Sequence, residues 1–229
     1  MTSQHQTSAI ILAGGLGTRM QTAEPKQFSY LGPKPIARYS FDLFLAMSEI
    51  TEIVVVCAPA YRNLFTATNT LKRICFALPG ERRQDSVSNG LNATDASNNM
   101  ILIHDSARPF IDQDLVHRVL EAGYQHGAAT VGMPVKFTIK ESHSDNFVAN
   151  TPDRSRIWEI QTPQVLHRAI LVEGFRHAQE NNITVTDDTS LAELVGKSVK
   201  LVEGSHTNLK ITVPEDLVIA QHLLNSIRT

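Results

Sequence analysis

This sequence predicts an α/β fold built on a largely parallel sheet, and three observations predict it. Short β-branched apolar runs recur along the chain and alternate with segments of helical periodicity. Two of these runs, Ile53-Val54-Val55-Val56-Cys57-Ala58 and Met100-Ile101-Leu102-Ile103, show no polar alternation, as expected of strands covered on both faces. Glycine and proline stand at the ends of runs, at Gly14-Gly15, Pro59 and Pro79-Gly80. With 229 residues and 42% apolar content, the chain can bury a core without a metal or disulfide. One domain over 1–229 is the expectation.

In chain order, the first strand is expected over Ala9–Ala13. A helix starting near Ala37 carries Tyr39, Phe41, Leu43, Phe44 and Leu45, and a strand over Ile53–Ala58 follows. A helix is expected over Tyr61–Leu71, a short strand over Ile74–Leu78 and a helix from about Gln84 to Ala93. A buried strand over Met100–His104 leads into Asp105. Asp112 is a suitable N-cap for a helix with Leu115, Val116, Val119 and Leu120 on one face. Ala128–Val135 is the next strand.

At about 135–160 the pattern changes. Lys136–Lys140 alternates, as does the stretch around Phe147-Val148-Ala149, with a turn over Ser142–Asn146 between them. This reads as an inserted β-hairpin, either a dimerisation arm or an ordinary edge hairpin. Helices then resume over Arg168–Glu180 and from Thr186 to Gly196, a good residue for a helix end. Val199–Val202 and Leu209–Thr212 read as strands. Pro214-Glu215-Asp216 opens the last helix, with proline in its first turn and carboxylates at the positive end of the dipole.

Composition narrows the function. Lys plus Arg is 21 and Asp plus Glu is 23, so there is no basic excess to suggest nucleic acid or a membrane surface. Cys57 and Cys75 fit no zinc, redox or disulfide spacing, and Cys57 reads as a small buried hydrophobe. A reduced, cytoplasmic protein is expected. Residues 1–8 lack the basic and apolar regions of a signal peptide, and no run reaches the roughly 18 apolar residues of a membrane span.

Ligands of open α/β sheets bind beyond the carboxyl ends of the strands. After the first strand comes Ala13-Gly14-Gly15-Leu16-Gly17-Thr18-Arg19-Met20. Its glycines permit close backbone approach, its N–H groups can cradle phosphate oxygens, and Arg19 adds a permanently charged fork. The run lacks the Gly-Lys-Ser/Thr of a Walker loop and the third glycine of a dinucleotide fingerprint. Pro25-Lys26-Gln27 strengthens a phosphate reading, although Lys26 alone would pass for a solvated lysine. His104-Asp105-Ser106-Ala107-Arg108-Pro109 follows a buried strand. There Asp105 could hold a metal ion or substrate hydroxyls, or pair with Arg108, while His104 reads as a packed histidine. Lys210, in the apolar context Asn208-Leu209-Lys210-Ile211, must reach solvent or find an anion. Thr186-Asp187-Asp188 could be a carboxylate pair, but a helix start explains it more simply, with Thr186 as cap and the aspartates favoured by the dipole. Cations, a glycine loop and one aspartate suit phosphate chemistry.

These motifs together resemble the sugar-phosphate nucleotidyltransferases. Asp85-Ser86-Val87, Thr162-Pro163-Gln164, Thr186-Asp187-Asp188 and Asn208-Leu209-Lys210-Ile211-Thr212 narrow the resemblance to the 2-C-methyl-D-erythritol 4-phosphate cytidylyltransferase family, from about Ala9 to Leu224. The resemblance implies a Rossmann-like, mostly parallel twisted sheet flanked by helices, with a β-arm that interlocks two subunits as a homodimer. It implies a Mg²⁺-assisted reaction of CTP with methylerythritol phosphate, releasing pyrophosphate by in-line attack. It implies that Ala13, Gly14, Gly15, Gly17, Thr18 and Arg19 wrap the triphosphate, with Arg19 and Lys26 acting at the α-phosphate. Gly80, Glu81 and Ser86 would read the cytosine, and Ala107 would line the nucleotide. Asp105 and Arg108 would face the acceptor and the metal-bound nucleotide, and Lys210 and Arg154 would position the acceptor phosphate. Thr138 and Arg154 lie on the arm and would act across the dimer. Phe137 stands where many members carry an acidic residue. Two alternatives remain: a ribitol 5-phosphate cytidylyltransferase and a catalytically dead nucleotide-binding regulator.

Overall fold

The structure, a computed structural model, describes residues 6–15, 25–68 and 70–227. Its frame is a sheet of seven strands in the order β7-β5-β6-β4-β1-β2-β3. The strands are β1 (Thr7–Leu12), β2 (Ile50–Val56), β3 (Arg73–Ala77), β4 (Met100–Asp105), β5 (Ala128–Pro134), β6 (Trp158–His167) and β7 (Lys200–Glu203). Neighbours β3, β2, β1 and β4 run parallel, as do β5 and β7. β6 runs antiparallel to both β4 and β5. The expected, mostly parallel α/β sheet is therefore present.

β6 is the element that the sequence did not announce. Its pairing shifts between Ile160, opposite Gly132, and Gln164, opposite Thr130, so it carries extra residues there. Pro163, which has no N–H to give a ladder, sits in that bulge.

The helices are α1 (Ile36–Ala46), α2 (Arg83–Ala93), α3 (Gln113–His126), α4 (Arg168–Glu180), α5 (Ser190–Leu194) and α6 (Pro214–Ile227). α1 buries Ile36, Ala37, Phe41 and Phe44, and α3 buries Leu115, Val116, Val119 and Leu120. Both pack with Ile11, Ile53, Val55 and Leu102 into one core. On the other face, Ile10, Val54, Val56 and Ile103 pack with α2 residues Val87 and Leu91 and α4 residue Leu171. The fully covered strands explain the unbroken apolar runs. Asp112 caps α3 as expected, accepting the Leu115 N–H at 2.8 Å. Gly127, at φ +83, ends that helix.

Several expectations are corrected. Pro59–Phe65 forms a 3₁₀ helix in place of the helix over Tyr61–Leu71. Leu209–Thr212 is not a strand; Ile211 donates its N–H to the Ala107 carbonyl. Thr186 does not begin a helix, since α5 starts at Ser190 and Asp187 accepts its N–H at 3.1 Å. The inserted hairpin is real but displaced. It pairs Glu141–Ser142 with Val148–Asn150, while Lys136–Lys140 lies outside any strand. Nearly every residue from Lys136 to Arg156 is exposed, so this segment stands off the sheet as an arm.

Candidate active site

From β1 the chain builds β2 and β3 on one side and then returns to form β4 on the other, and a crevice opens at the carboxyl ends beside such a point. The loops there are tied together by backbone bonds. Ala13 donates to Val56 and Ser106 donates to Leu12, at 2.9 and 3.1 Å. Buried Gln27 donates its amide to the carbonyls of Ala13 and Gly15, at 2.9 and 2.8 Å. Those bonds fix the start of the glycine loop. A Cβ on Gly14 would lie 2.5 Å from Pro79, so only glycine lets this loop meet the one after β3. There Gly80 donates its N–H to Ser86 Oγ at 3.0 Å, and Glu81 is exposed beside it. Gly17, Thr18 and Arg19 lie outside the described residues.

Lys26 begins a short 3₁₀ turn and is half-buried. Its charge reaches Asp216 in the first turn of α6. Burial alone would raise that carboxyl, but bonds from Thr212 and Val213 and the charge of Lys26 hold it below its ordinary value.

At the end of β4, Asp105 sits in a cleft of about 580 Å³ that Arg83, Arg108, Gln164 and Lys210 also line. Its Oδ2 meets Lys210 Nζ at 2.6 Å, and its Oδ1 accepts from Arg83 Nη2 and Nε at 3.2 and 3.3 Å. Burial would raise the Asp105 carboxyl, but Arg83 and then Lys210 bring it well below the usual carboxylate range. Lys210 has thus found the anion its apolar context demanded. The alternative pairing of Asp105 with Arg108 is not formed. Arg108 instead donates from Nη1 to the Asn208 carbonyl at 2.6 Å, and its buried Nε has no partner among the described residues. Burial also lowers the pKa of the Arg108 guanidinium.

Two neighbours hold this strand end. Thr162 Oγ1 accepts the Asp105 N–H at 3.1 Å and bonds His104 Nδ1 at 3.0 Å. His104 Nε2 lies 3.1 Å from the Arg108 carbonyl. A carbonyl can only accept, so the ring proton is on Nε2 and Nδ1 accepts from Thr162. Burial drives the His104 pKa down to about 4, so the ring is neutral and structural, as the sequence suggested.

Sequence reasoning missed Arg83. Its Nη1 and Nη2 donate to Asp188 Oδ1 and Oδ2 at 2.7 and 2.8 Å. Arg83 at the start of α2 and Asp188 before α5 are far apart in sequence, and no local pattern links them. Asp188 was expected at the start of a helix. In the structure it is buried, and Asp187 makes the contacts at the start of α5. Ala107 is buried, its carbonyl accepting from Ile211. Thr138 and Arg154 are exposed on the arm, and Arg154 donates to the Lys136 carbonyl at 3.3 Å. Within one chain they do not join the Asp105 cluster. Among the described residues, no three His, Cys, Asp or Glu side chains are grouped to hold a metal ion. No described helix is long and apolar enough to cross a membrane.

Comparison with known proteins agrees with this fold. Residues 7–226 match the model of the 2-C-methyl-D-erythritol 4-phosphate cytidylyltransferase family. A chloroplastic protein of that name from Oryza sativa subsp. japonica is 45% identical, covering 97% of this chain and 75% of its own length. One from Caldanaerobacter subterraneus subsp. tengcongensis is 41% identical over 95% of this chain and 98% of its own. Among solved structures, a 4-diphosphocytidyl-2C-methyl-D-erythritol synthase from Anaerococcus prevotii superposes with a TM-score of 0.86 at 27% identity, covering 97% of this chain and 100% of that one. A 2-C-methyl-D-erythritol 4-phosphate cytidylyltransferase from Thermus thermophilus superposes with a TM-score of 0.76 at 31% identity, covering 95% and 98%.

Proposed function

From the premise that this chain belongs to the 2-C-methyl-D-erythritol 4-phosphate cytidylyltransferase family, we propose how its side chains divide the work. The protein joins CTP to 2-C-methyl-D-erythritol 4-phosphate, giving 4-diphosphocytidyl-2-C-methyl-D-erythritol and pyrophosphate in isoprenoid biosynthesis. An acceptor phosphate oxygen attacks the α-phosphorus of CTP. The bond from that phosphorus to the bridging oxygen breaks, and pyrophosphate leaves with the electron pair. No protein nucleophile is needed, so catalysis is positioning and charge neutralisation.

The observation that carries the assignment of roles is the 2.6 Å pair of Lys210 and Asp105, in the cleft beside the glycine loop. Ala13, Gly14 and Gly15, continued by Gly17, Thr18 and Arg19, cradle the triphosphate. Gly80, Glu81 and Ser86 read the cytosine from the neighbouring loop, and Ala107 lines the nucleotide. Arg19 and Lys26 oppose the negative charge that gathers at the α-phosphate. Lys210 holds the acceptor phosphate, while Asp105 and Arg108 face the acceptor alcohol. Asp105 does not suit a metal ligand, because both its oxygens are engaged by cations. Mg²⁺, when bound, offsets triphosphate charge and is held mainly by the CTP phosphates.

The chain acts as one nucleotidyltransferase domain, and its arm joins two copies. Phe137 and Phe147 are each 72% exposed, an apolar surface on a projection that a second copy would cover. In such a dimer Thr138 and Arg154 would act at the partner's site. A Phe137→Asp/Phe147→Asp variant should elute at half the wild-type mass, and unchanged mass would overturn this assembly. The two free cysteines suit a reducing, cytoplasmic setting. Thermal unfolding tests the nucleotide assignment. CTP with Mg²⁺ at a hundredfold its Kd should stabilise the fold by about 2.7 kcal/mol, with UTP and GTP weaker. No shift with CTP would overturn it.

A further inference from the structure

We propose that Arg83 and Asp188 are positioning residues for the acceptor side of the site, acting through Asp105. This rests on reading the Asp105–Lys210 cleft as the acceptor site. The guanidinium of Arg83 makes two unequal contacts. It grips Asp188 with both terminal nitrogens at 2.7 and 2.8 Å and reaches Asp105 Oδ1 at 3.2 and 3.3 Å. The tighter, two-pronged bond to Asp188 keeps the fork from closing squarely over Asp105. Asp105 Oδ2 is thereby left to Lys210 and to the acceptor hydroxyls.

Neither residue is needed where it stands for local structure. Arg82 and Asp85 pair at the entry to α2, and Asp85 accepts the Arg82 N–H at 3.0 Å. Asp187 accepts from the Ser190 N–H and from Thr189 Oγ1 at the entry to α5. A carboxylate only 2% exposed, such as Asp188, is costly to bury, and a well-packed apolar pair would serve stability as well. The surroundings nevertheless aim it. Gln164 Oε1 accepts the Asp188 N–H at 2.8 Å, and Gln164 Nε2 donates to Thr130 and Asp187. The result is an alternating row, Asp188, Arg83, Asp105 and Lys210, running from the protein interior to the cleft. Burial of such a row is explained if its exposed end must be held in one geometry.

Kinetics with both substrates varied tests this. In Asp188→Asn, Arg83 is free to close over Asp105 and displace Lys210. The acceptor KM should rise about tenfold while the CTP KM stays within about twofold. Arg83→Lys keeps the charge and gives up the fork, so it should show the same split. It carries the test if Asp188→Asn does not fold. If Asp188 acts only through Arg83, Asp188→Asn should add nothing in an Arg83→Gln background. Equal changes in both KM values, or additive effects in the double variant, would overturn the proposal. Absence of CTP turnover by the wild type would instead overturn the reading of the site on which it rests.

Discussion

Lys210→Ala is the substitution whose outcome the site geometry specifies most fully. Lys210 meets Asp105 in a cleft that two further cations, Arg83 and Arg108, and two further carboxylates, Asp187 and Glu193, also line. Removing Lys210 takes away one positive charge just where two polyanionic substrates must meet. Losing one aimed donor of transition-state charge costs about 10²–10³-fold in kcat, or roughly 3–4 kcal/mol. The fold should tolerate the change. Asp105 keeps Arg83 at 3.2 Å, and the Lys210 side chain is already 37% exposed. A stability loss near 1 kcal/mol would lower Tm by about 2–4 °C in a chain of this size. The assay is pyrophosphate release at saturating CTP with the acceptor varied, alongside thermal unfolding. Lys210→Arg should recover part of the rate. A kcat within about threefold of wild type, in protein that unfolds normally, would refute the role of Lys210.

Three further outcomes are expected. Lys26→Ala should lower kcat roughly 100-fold, and an unchanged kcat in steady-state turnover would remove Lys26 from the chemistry. His104 carries an acid limit on stability. Its folded pKa of about 4 lies below the unfolded value, so the unfolded chain binds the proton first as pH falls. Stability from this group is complete above about pH 6.5 and declines by about 3 kcal/mol down to pH 4; denaturant melts of His104→Asn should lack that component. Asp112→Ala removes the cap on the Leu115 N–H and should cost about 1 kcal/mol, visible as a lower urea midpoint with unchanged turnover.

Local signals made much of this molecule legible, and long-range ones did not. The covered strands Ile53–Val56 and Met100–Ile103, the Asp112 cap and the glycines after β1 each state their role within a few residues. Lys210 was legible because a cation among apolar residues has few options. β6 was hidden because its outer half is exposed, its inner half buried, and Pro163 argues against a strand unless a bulge takes it. Tyr61–Leu71 has apolar spacing suited to a helix, but the chain makes only a 3₁₀ helix over Pro59–Phe65, which buries Phe65. Arg83 and Asp188 were misjudged for one reason. Charged residues at helix entries are common and usually solvated, so only the assembled fold distinguishes a pair that meets across the molecule.

The central claim is the pairing of CTP with methylerythritol phosphate, and pyrophosphate release tests it most directly. The protein would be given CTP and Mg²⁺ with methylerythritol 4-phosphate or, in parallel, ribitol 5-phosphate. Release with methylerythritol phosphate, and little with ribitol phosphate, is the predicted result. Release mainly with ribitol phosphate would contradict the acceptor assignment, and no release with either would contradict the account of the site as a whole.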